Sequence, residues 1–200
     1  MIDEPFRQWL ARHASAPVAM LARCGLTPNG VTWGGLGLGV GAAALVVVGR
    51  PVAGFALWLG SRVLDGVDGL LARHLGRSSL FGGYLDITAD MAAYSAMACA
   101  FAWSMPADRL LWMLVLVGYL LAITTTLALS SLAERADRQL GGNRSLQFTP
   151  GLAEAGETTI VYGVIALLPA YSRVTLLVWI GLLAATAIQR TVLARRMLER

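Results

Sequence analysis

The sequence predicts an all-α integral membrane protein, a bundle of six transmembrane helices preceded by an N-terminal interfacial amphipathic helix. Three observations carry that reading. Hydrophobic residues make up 56% of the 200 residues against 14% charged, and the mean hydropathy is +0.63, too oily for an ordinary soluble domain. Several stretches reach the roughly 20 apolar residues that a helix needs to cross the hydrocarbon core, with Gly, Ala and Val scattered through them where close helix packing wants small side chains. Arginines gather at the ends of these stretches, as they do at membrane surfaces.

The elements follow in order. Residues 5–24 read as a helix lying along the interface, with Phe6, Trp9 and Leu10 on its apolar side. Thr27-Pro28-Asn29 supplies an N-cap and a first-turn proline and opens a first span over 31–48, which Gly49-Arg50-Pro51 breaks. A second span over 52–74 has Arg62, Asp65, Asp68 and Arg73 in its later part, so that end must be sheltered or wet. Further spans are expected over 81–104, 110–133, 151–169 and 174–194. The domain plan is a juxtamembrane helix over 1–26 and one membrane domain over 27–200.

All 16 basic residues are arginine. With the N-terminus inside, twelve of them fall on inner segments and three, Arg50, Arg109 and Arg173, on outer turns, leaving Arg62 within a span. That bias places both termini and the longest loop, 134–150, in the cytoplasm. The net charge of +4 therefore speaks for anionic headgroups as partners, not nucleic acid. No cleavable signal is expected, because Asp3, Glu4, Arg7 and Arg12 precede any apolar run. Cys24 and Cys99 offer neither a disulfide framework nor a zinc spacing, and His13 and His74 read as interfacial residues without catalytic duty.

Charges inside membrane spans are expensive, so Asp65, Asp68, Asp86 and Asp90 need a specific explanation. Asp65 and Asp68 are spaced i, i+3 and Asp86 and Asp90 i, i+4, which puts each pair on one face of its helix. The short turn over 75–80 makes those helices antiparallel neighbours and lets the two acidic faces converge. Carboxylates so placed repel, and a divalent cation relieves them; an all-oxygen set favours Mg²⁺, Mn²⁺ or Ca²⁺ over zinc. Gly69 and Gly82 leave backbone bare beside the acids. Arg73 adds a positive charge that suits an anionic phosphate. Taken singly, each aspartate is better explained by an ion pair with arginine that seals a water-filled vestibule, and each glycine by helix packing; the combination points to phosphoryl transfer.

Asp65-x-x-Asp68-Gly69-x-x-Ala72-Arg73, then eight residues, then Gly82-x-x-x-Asp86-x-x-x-Asp90 resembles the signature of the CDP-alcohol phosphotransferase family at every fixed position. Thr27-Pro28-Asn29 with Thr32 is similar to that family's lead-in to its first span. The resemblance implies a membrane-embedded bacterial enzyme of phospholipid biosynthesis. It would transfer a phosphatidyl group from CDP-diacylglycerol or a similar CDP-linked lipid to a small alcohol, releasing CMP, as a homodimer in the inner membrane. It also implies Mg²⁺ or Mn²⁺ held by Asp65, Asp68 and Asp86, with Asp90 shared if two ions bind. Asp65, Asp68, Gly69, Ala72, Arg73, Gly82, Asn29 and Thr32 would surround the nucleotide. Asp90, one turn deeper than Asp86, is the expected general base.

The acceptor stays open. Arg138 and Arg144, with Arg190, suit an alcohol that carries its own phosphate, although orientation by the positive-inside rule explains each of them as well. Glu154 and Glu157 suit an amine-bearing alcohol, but acids near a helix start also complement its dipole. The competing class is a divalent-cation transporter or channel, which would need inward-facing carboxylates too. Against it stand a cluster close to one membrane face, the Arg73 charge, and no clear inverted repeat.

Overall fold

A computed structural model of the chain describes residues 14–135 and 155–198. Seven α-helices make up nearly all of the described residues: α1 Ser15–Arg23, α2 Pro28–Val47, α3 Pro51–His74, α4 Leu80–Ser104, α5 Arg109–Arg135, α6 Ala155–Leu167 and α7 Ser172–Leu198, with single 3-10 turns at Pro106–Asp108 and Pro169–Tyr171. They form two compact units, α1–α4 and α5–α7.

The helix ends follow local chemistry. Thr27 Oγ1 accepts the Gly30 N–H at 3.1 Å ahead of Pro28, and Ser79 Oγ accepts the Gly82 N–H at 3.0 Å, each capping an otherwise orphaned donor. Gly76 stops α3 at φ +62°. Its N–H donates to the Arg73 carbonyl at 3.2 Å and that of Arg77 to the Ala72 carbonyl at 2.9 Å, the pairing of a Schellman turn.

Within the first unit α2 packs against both α3 and α4. Small residues set the closeness. A Cβ on Gly54 would lie 2.8 Å from the Ala42 carbonyl oxygen, and one on Gly39 2.9 Å from Ala93 Cβ, so neither site has room for a side chain. Trp58, Leu71, Met97 and Phe101 fill the interior. α3 and α4 meet as the sequence reading expected, but through long side chains and not close backbones, Trp58 meeting Tyr94 with ring centroids 5.1 Å apart, while each packs its backbone on α2. In the second unit α5 and α7 pack together, with Trp112, Val115, Tyr162, Leu176 and Trp179 inside.

Three helical stretches are long and apolar enough to cross a membrane by length and composition: Pro28–Val47, Pro106–Leu132 and Pro169–Leu198. Large apolar side chains such as Leu110, Leu120, Val174 and Val178 are exposed on them, as lipid contact allows and water does not. α3 and α4 have 24 and 25 residues, also enough for a crossing, and they differ from those three in carrying the acidic groups. α6 is a shorter apolar helix of 13 residues. Of the expected interfacial helix over 5–24, only Ser15–Arg23 belongs to the described residues, and the first four residues of the expected span over 151–169 lie outside them.

Candidate metal and phosphate site

The site is built where the last turns of α3 meet the first turns of α4. Asp65, Asp68 and Asp86 each offer a carboxylate oxygen, and the three oxygens lie within 4.8 Å of one another. Asp68 is the most deeply buried, at 6% exposure, and Asp86 the most open. α2 fixes the buried one: Thr32 Oγ1 donates to Asp68 Oδ2 at 2.5 Å, while the Pro28 carbonyl lies 3.1 Å from the same hydroxyl. A threonine with one proton can serve only one acceptor, and the carboxylate is the stronger.

The glycines and Arg73 border this cluster. The nearest atom to a Cβ built on Gly69 would be Arg73 Nη1 at 3.6 Å, so the guanidinium lies along the bare backbone. Arg73 itself is exposed and Ala72 half-buried. On α4 a Cβ on Gly82 would come 3.1 Å from Ser79 Oγ and 3.4 Å from Asn29 Oδ1. Asn29 on α2 and Gly82 on α4 therefore meet, and Thr32 and Asn29 flank the same ends of α3 and α4 that carry the acids.

Asp90, beside Asp65, is held by a residue that the sequence reading left without a role. Arg62 Nη1 donates to Asp90 Oδ1 at 2.6 Å and lies 4.0 Å from Asp65 Oδ2. The guanidinium is stacked between Trp58, 4.5 Å from the ring centroid, and Tyr94, at 4.9 Å. Its Nη2 donates to Ser61 Oγ at 3.1 Å, and that hydroxyl donates on to the Gly35 carbonyl at 2.8 Å. The sequence did contain the signal: Arg62 is a charge inside a span, three residues before Asp65 and four after Trp58, all on one helix face.

Glu157 is in the first turn of α6, in the second unit. Arg138, Arg144 and Glu154 lie outside the described residues.

The donor set fits a hard divalent cation, since three carboxylate oxygens at this separation can close on one ion and no soft ligand is among them. A helical membrane protein with such an acidic center at two helix ends suits a phosphate-group transferase and a cation transporter alike, and comparison with known proteins is specific. The sequence model described as CDP-alcohol phosphatidyltransferase matches residues 25–194. The chain is 32% identical to a phosphatidylinositol phosphate synthase of Cutibacterium acnes, covering 98% of this chain and 99% of that one. It is 31% identical to the inner membrane protein YnjF of Escherichia coli, covering 77% and 76%. Crystal structures of the phosphatidylinositol phosphate synthase PgsA1 of Mycobacterium tuberculosis superpose at 26% identity. The one with CDP-DAG bound gives a TM-score of 0.70 over 92% of this chain and 94% of that one; the one with manganese and citrate gives 0.69 over 90% and 88%.

The chain belongs to the CDP-alcohol phosphatidyltransferase family. It is a membrane transferase of phospholipid biosynthesis that moves a phosphatidyl group to an alcohol, which decides between the enzyme and the cation transporter.

Proposed function

We propose that this enzyme takes CDP-diacylglycerol, or a closely similar CDP-linked lipid, as donor and a phosphorylated polyol of the inositol phosphate kind as acceptor, releasing CMP. The observation that carries the reaction is the convergence of Asp65, Asp68 and Asp86 within 4.8 Å. The donor and acceptor are supported by the relatives, a phosphatidylinositol phosphate synthase matched over nearly its whole length and a solved structure holding CDP-DAG.

In this reading Asp65, Asp68 and Asp86 hold Mg²⁺ or Mn²⁺, and a second ion would also draw on Asp90; the manganese in the mycobacterial structure supports a divalent ion. When bound, the ion neutralises charge on the pyrophosphate and on the departing CMP. Thr32 keeps the buried Asp68 oriented. Gly69, with Ala72, and Gly82, with Asn29, leave room for nucleotide against bare backbone, and Arg73 pairs with a phosphate. Asp90 accepts the proton of the acceptor hydroxyl. The hydroxyl oxygen bonds to the lipid-side phosphorus, and the bond from that phosphorus to the bridging oxygen breaks, its electron pair leaving with CMP. Arg138, Arg144 and Glu154, with Glu157, are assigned to the acceptor side. Six crossings, an interfacial helix within 1–26, a catalytic membrane domain over 27–200, cytoplasmic termini and site, and a homodimer complete the proposal.

The test is CMP release by purified protein from CDP-diacylglycerol with Mg²⁺ or Mn²⁺, against inositol phosphate, glycerol 3-phosphate, serine and simple polyols. Release stimulated by inositol phosphate and abolished by a chelator is expected. Stimulation by serine alone would replace the acceptor assignment, and release that ignores chelation would overturn the metal assignment.

A further inference from the structure

Ala14, Val18, Leu21 and Ala22 fall at i, i+4, i+7 and i+8, one apolar stripe along α1. A short amphipathic helix at a membrane surface ordinarily gives such a stripe to lipid. Here it is turned onto protein. Ala14 and Val18, 5% and 3% exposed, form one cluster with Val31 of α2 and with Val67 and Leu71 of α3, and Leu21 and Ala22 pack against it. Met20 and Arg23 are left on the open side. α1 packs chiefly on α3, not on α2, its neighbour in sequence. The link to α2 is closed: the Gly25 N–H donates to the Ala22 carbonyl at 3.1 Å and the Leu26 N–H to the Leu21 carbonyl at 3.2 Å, with Gly25 at φ +75°. This Schellman turn fixes where α1 stops, just ahead of the Thr27 cap.

What α1 bears on is the row of α3 that holds the buried carboxylate. Leu64, Leu71 and Leu75 stand at i−4, i+3 and i+7 from Asp68, on one helix face, and all three belong to that cluster or pack against it. Asp68 is one polar group in an otherwise apolar row. α2 repeats the arrangement in two adjacent residues: Val31 joins the cluster, while Thr32 donates to Asp68 Oδ2 at 2.5 Å. The hydrogen bond orients the carboxylate, but the turns that carry its donor and acceptor are held together by the apolar cluster, of which α1 supplies one wall. Such a bond weakens steeply as its partners move apart or out of line, so a small shift of α3 at Leu71 reaches the oxygen aimed at a cation.

We propose that α1 is a strut for the acidic site and that Val18, its most deeply buried residue, is a positioning residue that holds Asp68 where it meets the cation. This rests on the reading of Asp65, Asp68 and Asp86 as metal ligands. Val18 touches neither ion nor substrate in this role and acts through the cluster it shares with Val67 and Leu71.

Full-length Val18→Asp, Val18→Ala and Val18→Ile test it, with Val46→Ala as control. Val46 is equally buried, at 1% exposure, but lies about 21 Å beyond Thr32 along α2. Measurements are Mn²⁺ affinity by titration calorimetry below the unfolding transition, the thermal midpoint of metal-free protein, and CMP release across Mn²⁺ concentrations. In Val18→Asp, Mn²⁺ is expected to bind about tenfold more weakly, the lower end of what loss of support behind a metal ligand costs. The Mn²⁺ needed for half-maximal turnover should rise by the same factor, with kcat at saturating Mn²⁺ within about twofold of the unaltered protein. Val18→Ala should weaken Mn²⁺ binding about threefold, and Val18→Ile, which keeps the branched shape, should stay within about twofold. Val46→Ala should lower the thermal midpoint as much as Val18→Ala does and leave Mn²⁺ affinity unchanged, which a merely structural role for Val18 would do as well.

Unchanged Mn²⁺ affinity in Val18→Asp would overturn the role, and so would an equal loss in Val46→Ala, which would mean that any loosening of the unit reaches the acids. Should Val18→Asp fail to fold, Val18→Ala decides the matter against Val46→Ala by the same comparison. If the unaltered protein bound no Mn²⁺, the ligand reading would fall and the strut with it; Mn²⁺ binding lost in Asp68→Asn but kept in Val18→Asp would sink only the assignment of Val18.

Discussion

Around Tyr119 the second unit closes its buried polar groups on one another: the hydroxyl lies 3.1 Å from that of Tyr162 and accepts the Trp179 indole N–H at 3.3 Å. Arg190 donates to the Ala122 carbonyl at 2.8 Å and Ser172 to Asp108 at 3.1 Å. Around Asp68 the first unit does the opposite, crowding three carboxylates within 4.8 Å. Hydrogen bonds among unlike partners are architecture that the protein completes by itself. Like charges brought together are an arrangement that a ligand completes, and their mutual repulsion in its absence is the strain that a cation relieves.

The sharpest way to break this contrast is Asp68→Asn. It should reduce CMP release by about 10³-fold, on the scale of losing a main electrostatic contact in the transition state. In metal-free protein its thermal midpoint should equal or exceed that of the unaltered chain, because a repelling charge is removed. A drop in the metal-free midpoint would make the cluster a structural element and undo the comparison.

Thr32→Val comes next. Removing the 2.5 Å bond to Asp68 should weaken Mn²⁺ binding by about 10- to 100-fold, the scale of the roughly 1.5–3 kcal/mol of a hydrogen bond to a charged group. Titration calorimetry reads this directly, and unchanged affinity would mean that Asp68 needs no anchor on α2.

Tyr162→Phe has the smallest expected effect on chemistry. It should lower stability by about 1 kcal/mol and leave turnover within about twofold, because its hydroxyl is closed on that of Tyr119. Denaturation and CMP release on the same preparation separate the two quantities, and a large loss of turnover at intact stability would place Tyr162 in the reaction.

The helix map was largely legible because its punctuation is local. Thr27-Pro28, Ser79 and Gly49 mark ends that any reader of caps can find, and α3 and α4 begin within one residue of the expected 52 and 81. The later helices were harder: α7 starts at Ser172 and runs on to Leu198, beyond the expected 174–194, since an apolar run with arginines beyond it has no sharp stop. Spacing alone put each acidic pair on one face. What no local pattern held was partnership across helices. Thr32 meets Asp68 over 36 positions and Arg62 meets Asp90 over 28. Those pairings depend on the register that Gly39 allows against Ala93 and Gly54 against Ala42, which only packing in three dimensions sets. The expected meeting of α3 and α4 is made by side chains, Arg62 with Asp90 and Trp58 with Tyr94, while each helix packs its backbone on α2.

The tight stop at Gly76 also bears on how such a chain enters a bilayer. Between the end of α3 at His74 and the start of α4 at Leu80 only residues 75–79 intervene, and the two helices carry Arg62 and Asp90, which neutralise each other at 2.6 Å. Were α3 to enter singly, its guanidinium would have only the longer contact to Asp65, at 4.0 Å on the same helix, to offset its cost in lipid. Were the two helices to enter as a hairpin, Arg62 would arrive with Asp90 alongside, and the brevity of the link would let entry and the pairing of these charges coincide.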